Sequence, residues 1–301
     1  AHAESRGTSL DAASAPDEAA VFAALGLPPI PAELREGDGE VEAAATGRLP
    51  ELVSVAALRG TFHCHTVYSD GTATVADMAE GARSRGWGYL GLADHSRAAA
   101  YAGGLSRDAV RKQHREIDAW NAHGGAAGFR IYKGIESDIL PDGNLDYDDA
   151  LLAEFDYVVG SVHSGFGIGV AAMTERLIRA VRNPYLTMLG HPTGRLLLVR
   201  DAYPVDVRAV IDAAAEAGVA IELNADPHRL DLDWRHLRYA TARGVPIAIN
   251  PDAHSVAGLE SVRWGVEVGR KGWLAAPQVL NTWTLDEVER WFAQRKSRHP
   301  A

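Results

Sequence analysis

A chain of 301 residues, 47% apolar and 23% charged, can bury a full core as one large α/β barrel or two ordinary domains. A formal net charge of -10 and a pI near 5.6 exclude a protein that holds long nucleic acid through a basic face, while leaving brief contact with an anionic substrate open. No run approaches the roughly 20 apolar residues of a membrane span, the start Ala1-His2-Ala3-Glu4-Ser5 lacks the basic and apolar regions of a signal peptide, and a single cysteine excludes an internal disulfide framework, so no membrane partner and a cytoplasmic location are expected.

Residues 1–20, rich in Ala, Ser, Asp and Glu without apolar periodicity, read as a mobile or loosely docked leader. Val21-Phe22-Ala23-Ala24-Leu25-Gly26-Leu27, then Pro28, Pro29 and Pro31 and the acidic Glu36-Gly37-Asp38-Gly39-Glu40, read as a connector packing against a larger body. The partition is therefore a leader and connector over 1–57 and one domain over 58–301.

From Leu58 onward strand-like runs alternate with amphipathic helical stretches, the pattern of βα units on a parallel sheet. Seven strands are predicted near 59–64, 88–93, 130–138, 156–162, 186–190, 219–224 and 246–250, each apolar enough to be buried on both faces. Helix starts are marked by Thr74 before Val75 to Ser84, Ser106 before Arg107 to His123, and the capping box Thr284-Leu285-Asp286-Glu287.

The chemistry lies where the runs end. Phe62-His63-Cys64-His65, Leu92-Ala93-Asp94-His95, Ser161-Val162-His163, Leu189-Gly190-His191 and Pro251-Asp252-Ala253-His254 close apolar runs, with Ile135-Glu136 as a further candidate. Strands of one barrel that place such residues at their C-terminal ends aim them at one mouth, where imidazoles and carboxylates bind metal. An H-x-H pair such as His63 and His65, on one face of a strand, is common as a structural pair; the accumulation carries the signal.

Asp70, in the turn Tyr68-Ser69-Asp70-Gly71, would hold a carboxylate over the mouth, though alone it would be an ordinary turn aspartate. His228, in Asp226-Pro227-His228-Arg229-Leu230, suits substrate contact or loop packing. His2, His114, His123, His236 and His299 read as solvated surface residues, and Cys64 as a small buried hydrophobe rather than a nucleophile.

The order Gly60-Thr61-Phe62-His63-Cys64-His65-Thr66 with Ser69-Asp70-Gly71, Asp94-His95-Ser96, Gly134-Ile135-Glu136, Ser161-Val162-His163-Ser164, Gly190-His191-Pro192 and Asp252-Ala253-His254-Ser255 resembles the polymerase and histidinol phosphatase (PHP) domain. More narrowly, Ile139-Leu140-Pro141-Asp142-Gly143, Gly190-His191-Pro192-Thr193-Gly194-Arg195-Leu196 and His228-Arg229-Leu230-Asp231-Leu232 resemble the C-terminal PHP module of bacterial family X DNA polymerases. The resemblance runs from about Leu58 to the end, and Leu25 to Glu42 resembles the joint preceding that module.

The resemblance implies a distorted seven-stranded (β/α)7 TIM-like barrel with an N-terminal extension, holding three divalent transition-metal ions. Carried onto this chain, one ion takes His63, His65, Glu136 and Asp252; a second shares Glu136 and takes His163 and His191; Asp70, His95 and His254 hold the third. The mixed donor set suits Zn, Mn or Fe without choosing among them. Two departures bear on function: Thr61 stands where the family commonly has aspartate, and the apolar Gly165-Phe166-Gly167-Ile168-Gly169-Val170-Ala171-Ala172 replaces a polar, basic segment. The second change favours small or hydrophobic esters over a polynucleotide track, and no room for a polymerase head is expected before residue 21.

The leading expectation is a metal-dependent phosphoesterase acting on small phosphate mono-, di- or triesters. Its nucleophile would be a metal-bridging hydroxide held by Glu136, formed as the pKa of bound water falls toward about 7, with His228 as acid for the leaving oxygen. Arg97, Arg195, Arg229 and His228 are the candidate substrate contacts, the bland alternative for each arginine being a surface salt bridge. A second reading is a 3′ to 5′ exonuclease or 3′-phosphatase on DNA ends, which predicts basic residues around the mouth. A third is a non-catalytic partner domain with structural metals, whose sites would be closed. Amidohydrolase chemistry would call for a bridging carboxylated lysine, and Lys133, three residues before Glu136, is poorly placed for it.

Overall fold

The computed structural model describes residues 15–124 and 128–297. Seven strands, β1 (Gly60–Thr61), β2 (Tyr89–Leu92), β3 (Arg130–Asp138), β4 (Tyr157–Ser161), β5 (Met188–Leu189), β6 (Ala220–Asn224) and β7 (Ile247–Asn250), pair in chain order. Every ladder is parallel. A sheet of this kind must be covered on both faces, which is why the strands read as near-continuous apolar runs.

The return connections carry α3 (Val75–Ser84), α4 (Arg107–Ala119), α5 (Asp149–Leu152), α6 (Val170–Val181), α7 (Val207–Ala217) and α8 (Trp234–Ala242), with α9 (Val262–Lys271) and α10 (Leu285–Ser297) after the last strand. Thr74 caps α3 in a capping box with Asp77, the Ser106 side chain accepts from Ala109 N, and Thr284 with Glu287 closes the box of α10. The helix expected over Arg107 to His123 ends at Ala119 and continues as a wider turn over Trp120–Gly124.

The barrel closes unevenly. β1 and β5 are each 2 residues long, shorter than the runs 59–64 and 186–190 suggested. Beyond Thr61 the chain leaves the ladder and makes isolated contacts: Cys64 O accepts from Ala93 N at 2.8 Å, and His65 N donates to Ala253 O at 2.8 Å. Side-chain amides span the seam between β1 and β7. Asn250 Oδ1 accepts from Phe62 N, while Asn281 accepts from Ile249 N and donates to Gly60 O and Ile249 O.

Inside the barrel, Phe62, Tyr89, Tyr132 and Tyr157 are closed from below by Phe292 of α10, whose ring stacks on Tyr157 at 5.5 Å. The Tyr157 ring fits because β2 and β3 offer glycines. A Cβ on Gly91 would stand 2.4 Å from the Tyr157 hydroxyl, and one on Gly134 would stand 2.2 Å from Cζ. This aromatic plug fills the lower barrel and leaves polar chemistry only the upper mouth. A second apolar layer, including Leu90, Ile131, Val158, Ile221 and Ile249, packs against Met78, Val110, Leu177, Ile211 and Val266 of the helices.

Residues 15–57 pack against the barrel. Leu27, Ile30, Leu34 and Ala44 cluster against Trp273, and Arg270 Nε donates to Glu33 Oε1 at 2.6 Å. Part of the predicted leader is ordered: α1 (Glu18–Ala24) is capped by Asp17, whose side chain accepts from Ala20 N, and α2 (Glu40–Ala45) follows. The rest of the leader, with His2, and the tail with His299 lie outside the described residues. Among the described residues no helix is long and apolar enough to cross a membrane.

Candidate metal centre

The handover from strand to loop at β1, β2, β4, β5 and β7 places His63, His65, His95, His163, His191, Asp252 and His254 around one mouth, with Glu136 rising from β3 and Asp70 leaning in from its turn. All nine residues singled out from the sequence therefore meet in one cup. Glu136 is its centre and is 1% exposed. Its Oε1 lies 3.2 Å from His163 Nε2 and 2.9 Å from His191 Nε2. Its Oε2 lies 3.4 Å from His63 Nε2 and 2.9 Å from His95 Nδ1. One carboxylate thus faces four imidazoles, two at each oxygen.

On the β1 side, His65 Nε2 is 3.1 Å from Asp252 Oδ1, and His63 Nε2 is 3.6 Å from the same oxygen. Toward solvent, Asp70 stands 3.5 Å from His95 Nε2 and 3.2 Å from His254 Nε2. Among the described residues three groups have donor atoms all within 4.8 Å of one another: His65, Asp70, His95 and His254; His63, His65 and Asp252; and His95, Glu136 and His163.

Whether this cup fits metal can be asked of its unpaired atoms. His63 Nε2, His65 Nδ1, His95 Nδ1, His191 Nδ1 and Glu136 Oε2 are buried without a hydrogen-bond partner. Buried polar atoms are costly in that state. His95 Nδ1 and Glu136 Oε2 approach within 2.9 Å yet do not satisfy each other as donor and acceptor. Imidazole nitrogens and carboxylate oxygens crowded within 4.8 Å of one another suit divalent cations.

The electrostatics agree. Burial disfavours a charged imidazole at His63, but Glu222, Glu136 and Asp252 outweigh it and hold its pKa well above the ordinary value. Against the same opposition from burial, Glu136 and Asp70 push His95 up to about 10, and Glu136 and Asp138 push His163 up to about 9. In turn Glu136 and Asp252 are held far below the carboxylate range despite burial, by His63 with its fellow imidazoles. The cup draws in positive charge. His191 goes the other way: burial, then the Arg229 guanidinium, bring it down to about 4.

Outer carboxylates and amides fix the pose of these side chains. Glu222, fully buried on β6, accepts from His63 Nδ1 at 2.7 Å, from His191 N at 3.0 Å, and from Asn224 Nδ2 and Asn250 Nδ2. Asp138 accepts from His163 Nδ1 at 2.7 Å. Asp94 accepts from Thr66 N and Oγ1, Ser69 N and Oγ, and Gln113 Nε2, fixing the turn that carries Asp70. Two residues of the cup have left-handed backbones, His191 with φ 22° and Asp252 with φ 52°, which non-glycine residues adopt only when their surroundings impose it. Sequence reasoning passed over Glu222 and Asp138, although Glu136 and Asp138 share a strand face, as do Glu222 and Asn224.

The expected substrate contacts part company. Arg229 reaches the cup, its Nε 3.4 Å from Asp252 Oδ2. Arg195 is held elsewhere: it donates to Arg229 O, Leu230 O and Asp233 Oδ2, tying down the loop after β6 instead of facing a phosphate. His228 is exposed, with Nδ1 2.9 Å from Asp226 Oδ1, and Arg97 is exposed on the loop after His95. Lys133 bonds Asp118 outside the barrel. Thr61, at the departure from the family pattern, lies buried with Oγ1 3.3 Å from Asn250 Oδ1.

One further expectation is corrected and another holds. His114 is buried, not a solvated surface residue: it sits edge-on to Phe155 at 4.8 Å, and burial with the Lys133 charge brings its pKa down to about 4. Cys64 is buried and free, the inert hydrophobe expected, and burial raises its pKa further from reactivity.

The PHP domain profile matches residues 61–226. A DNA polymerase/3'-5' exonuclease PolX from Bacillus subtilis is 42% identical over 277 residues, 92% of this chain, and the chain spans 48% of that relative's length. A probable phosphatase from Thermoanaerobacter sp. is 27% identical over 181 residues, 57% of this chain and 71% of the relative. Among solved structures, a histidinol phosphate phosphatase from Lactococcus lactis, crystallised with zinc, L-histidinol and phosphate, aligns with a TM-score of 0.48 and 15% identity over 70% of this chain and 93% of that one.

Proposed function

The chain belongs to the PHP domain family, and from that premise we propose that it is a hydrolase of phosphate esters, a metal-dependent phosphoesterase working on small mono-, di- or triesters. The observation that carries the reading is Glu136: one buried carboxylate with four imidazole nitrogens 2.9 to 3.4 Å from its two oxygens, two of them, His63 Nε2 and His95 Nδ1, without hydrogen-bond partners.

In this reading His63, His65, Glu136 and Asp252 hold one cation, Glu136 with His163 and His191 a second, and Asp70, His95 and His254 a third. Divalent Zn, Mn or Fe would supply Lewis-acid charge and water activated at neutral pH. The protein's part is orientation. Glu222 and Asp138 each accept from an Nδ1, fixing the tautomer that leaves Nε2 of His63 and His163 as donor atoms. In this reading Arg229, partly buried beside Asp252, would grip a phosphoryl oxygen, and the exposed His228 and Arg97 would contact the substrate, His228 as acid for the leaving oxygen.

A second reading, removal of nucleotides or phosphate from DNA 3′ ends, is supported by the 42% identity to the Bacillus subtilis DNA polymerase/3'-5' exonuclease PolX over 92% of this chain. One assay separates the readings: metal-loaded protein on p-nitrophenyl phosphate, bis-p-nitrophenyl phosphate, an aryl phosphotriester and end-labelled single-stranded DNA, with His63→Ala as control. Turnover of the small esters that His63→Ala abolishes supports the proposal. Turnover confined to DNA favours the second reading, and none on any substrate returns the chain to a non-catalytic domain with structural metals.

A further inference from the structure

Two exposed apolar features flank the cup, and metal ligation uses neither. Tyr101, 72% exposed, occupies the short helical turn Ala100–Ala102 just after His95. The turn is stiff: Ala102 N and Gly104 N donate to Ala99 O, Leu105 N donates to His95 O, and Gly104 has no space for a Cβ beside Ser96 O. Its ring centroid lies 6.2 Å from those of His95 and His163, edge-on to the latter.

The second feature is the hairpin that follows His191. Leu198 is fully exposed at φ 64° and Val199 is 79% exposed. Leu196 and Arg200 pair across the hairpin, Leu197 N donates to His228 O, and Arg200 lies over the Phe166 ring at 4.2 Å. A solvated leucine held in a left-handed conformation is unfavourable on both counts. The Leu197 N–H bond reaches the residue next to Arg229, whose Nε lies 3.4 Å from Asp252 Oδ2, so the hairpin borders the cup on the Asp252 side while Tyr101 borders it at His95 and His163.

We propose that Tyr101, with Leu198 and Val199, forms a collar that stacks a planar ring carried by the leaving oxygen, making aryl phosphate esters the preferred substrates. The proposal rests on the phosphoesterase reading and narrows it. Because the Tyr101 ring lies beside both His95 and His163, a group on a phosphorus held at those imidazoles would have this ring within reach, and an aromatic on a tightly bonded turn offers that group a face.

Phosphonates test this without the confounding reactivity of a leaving group. Inhibition constants for phenyl-, cyclohexyl- and methylphosphonate would be measured against a common ester substrate with metal-loaded protein. The preference for phenyl over cyclohexyl should fall by about fivefold in Tyr101→Ala, fall in the same direction in Leu198→Gly, and persist in Tyr101→Phe, while methylphosphonate binds all four proteins alike. An equal response to phenyl and cyclohexyl in the unaltered protein, or a preference unmoved by Tyr101→Ala, overturns the collar. Thymidine 3′-monophosphate as a further competitor assigns the ring: dependence on Tyr101 confined to it points to a nucleobase and overturns the aryl assignment. If neither methylphosphonate inhibition nor any turnover is seen, the phosphoesterase reading itself has failed.

Discussion

Glu222 accepts a hydrogen bond from His63 Nδ1 at 2.7 Å, deep in the barrel and on the side of the imidazole that faces away from Glu136. The same carboxylate takes the backbone N–H of His191, so one strand-borne acid sets the pose of two donor residues. Replacing it with glutamine keeps the volume but removes the charge and one acceptor. Glu222→Gln should lower the metal affinity by about 10- to 100-fold while the protein stays folded. Chelator-competition titration measures the first and circular dichroism the second; an unchanged affinity would show that Glu222 only fills space.

The raised imidazole pKa values give metal binding a pH dependence of definite sign. With His95 near 10 and His163 near 9, these rings are protonated at neutral pH in the metal-free protein, so cations must displace protons. Apparent affinity should rise with pH from about 6.5 toward 9, and calorimetry in buffers of different ionisation enthalpy should record proton release at neutral pH. Stability of the metal-free form runs oppositely. A histidine whose pKa is higher folded than unfolded contributes fully below about 6.5, and loses that contribution as pH climbs through 9 to 10. Urea midpoints taken after chelation should therefore fall across that window, and saturating metal should remove the trend.

Arg195 and Arg229 are expected to fail in different ways. Arg195 holds two carbonyls and Asp233, so Arg195→Ala should destabilise by about 2 kcal/mol through lost hydrogen bonds, with KM little changed in the folded fraction. Arg229→Ala should leave the melting temperature close to that of the unaltered protein and raise KM by roughly tenfold, the loss of one charge-assisted phosphate contact. Thermal melts paired with steady-state kinetics separate the two, and a KM effect at Arg195 would restore it as a substrate contact.

These two arginines also mark how far the sequence was legible. Both follow a strand within a few residues, and nothing in their spacing says which guanidinium folds back onto carbonyls. Eight of the nine residues of the cup were legible because each interrupts or ends an apolar run at the same phase of a βα unit, and Asp70 was singled out only by its turn and the family pattern. Glu222 was not, because Ala220-Ile221-Glu222-Leu223-Asn224 continues as strand after the acid, so the acid ends nothing. β1 was overextended because apolar Phe62 and Cys64 carry the pattern past the point where the chain turns to the seam. His114 was misjudged against its own helix: with Val110 and Ile117 it falls at the i, i+4, i+7 spacing of a buried stripe.

The barrel's interior supplies a prediction about how the lower plug supports the mouth. Gly91 sits between Leu90 and Leu92 on β2, three residues before Asp94, and a methyl there would stand 2.4 Å from the Tyr157 hydroxyl and 2.8 Å from Phe62 Cα. Neither neighbour can withdraw freely: Tyr157 donates to the carbonyls of Phe62 and Leu92, and Phe62 is next to His63. Gly91→Ala should therefore destabilise by about 2 to 3 kcal/mol through overpacking, and should lower metal affinity because the strain reaches the segment carrying His63 and His65. Removing the hydroxyl as well, in Gly91→Ala with Tyr157→Phe, relieves the first clash and leaves the backbone one. The double variant should recover stability only in part, as read from denaturant midpoints. Full recovery would locate the whole strain at the tyrosine, and no loss in the single variant would mean that β2 shifts at little cost.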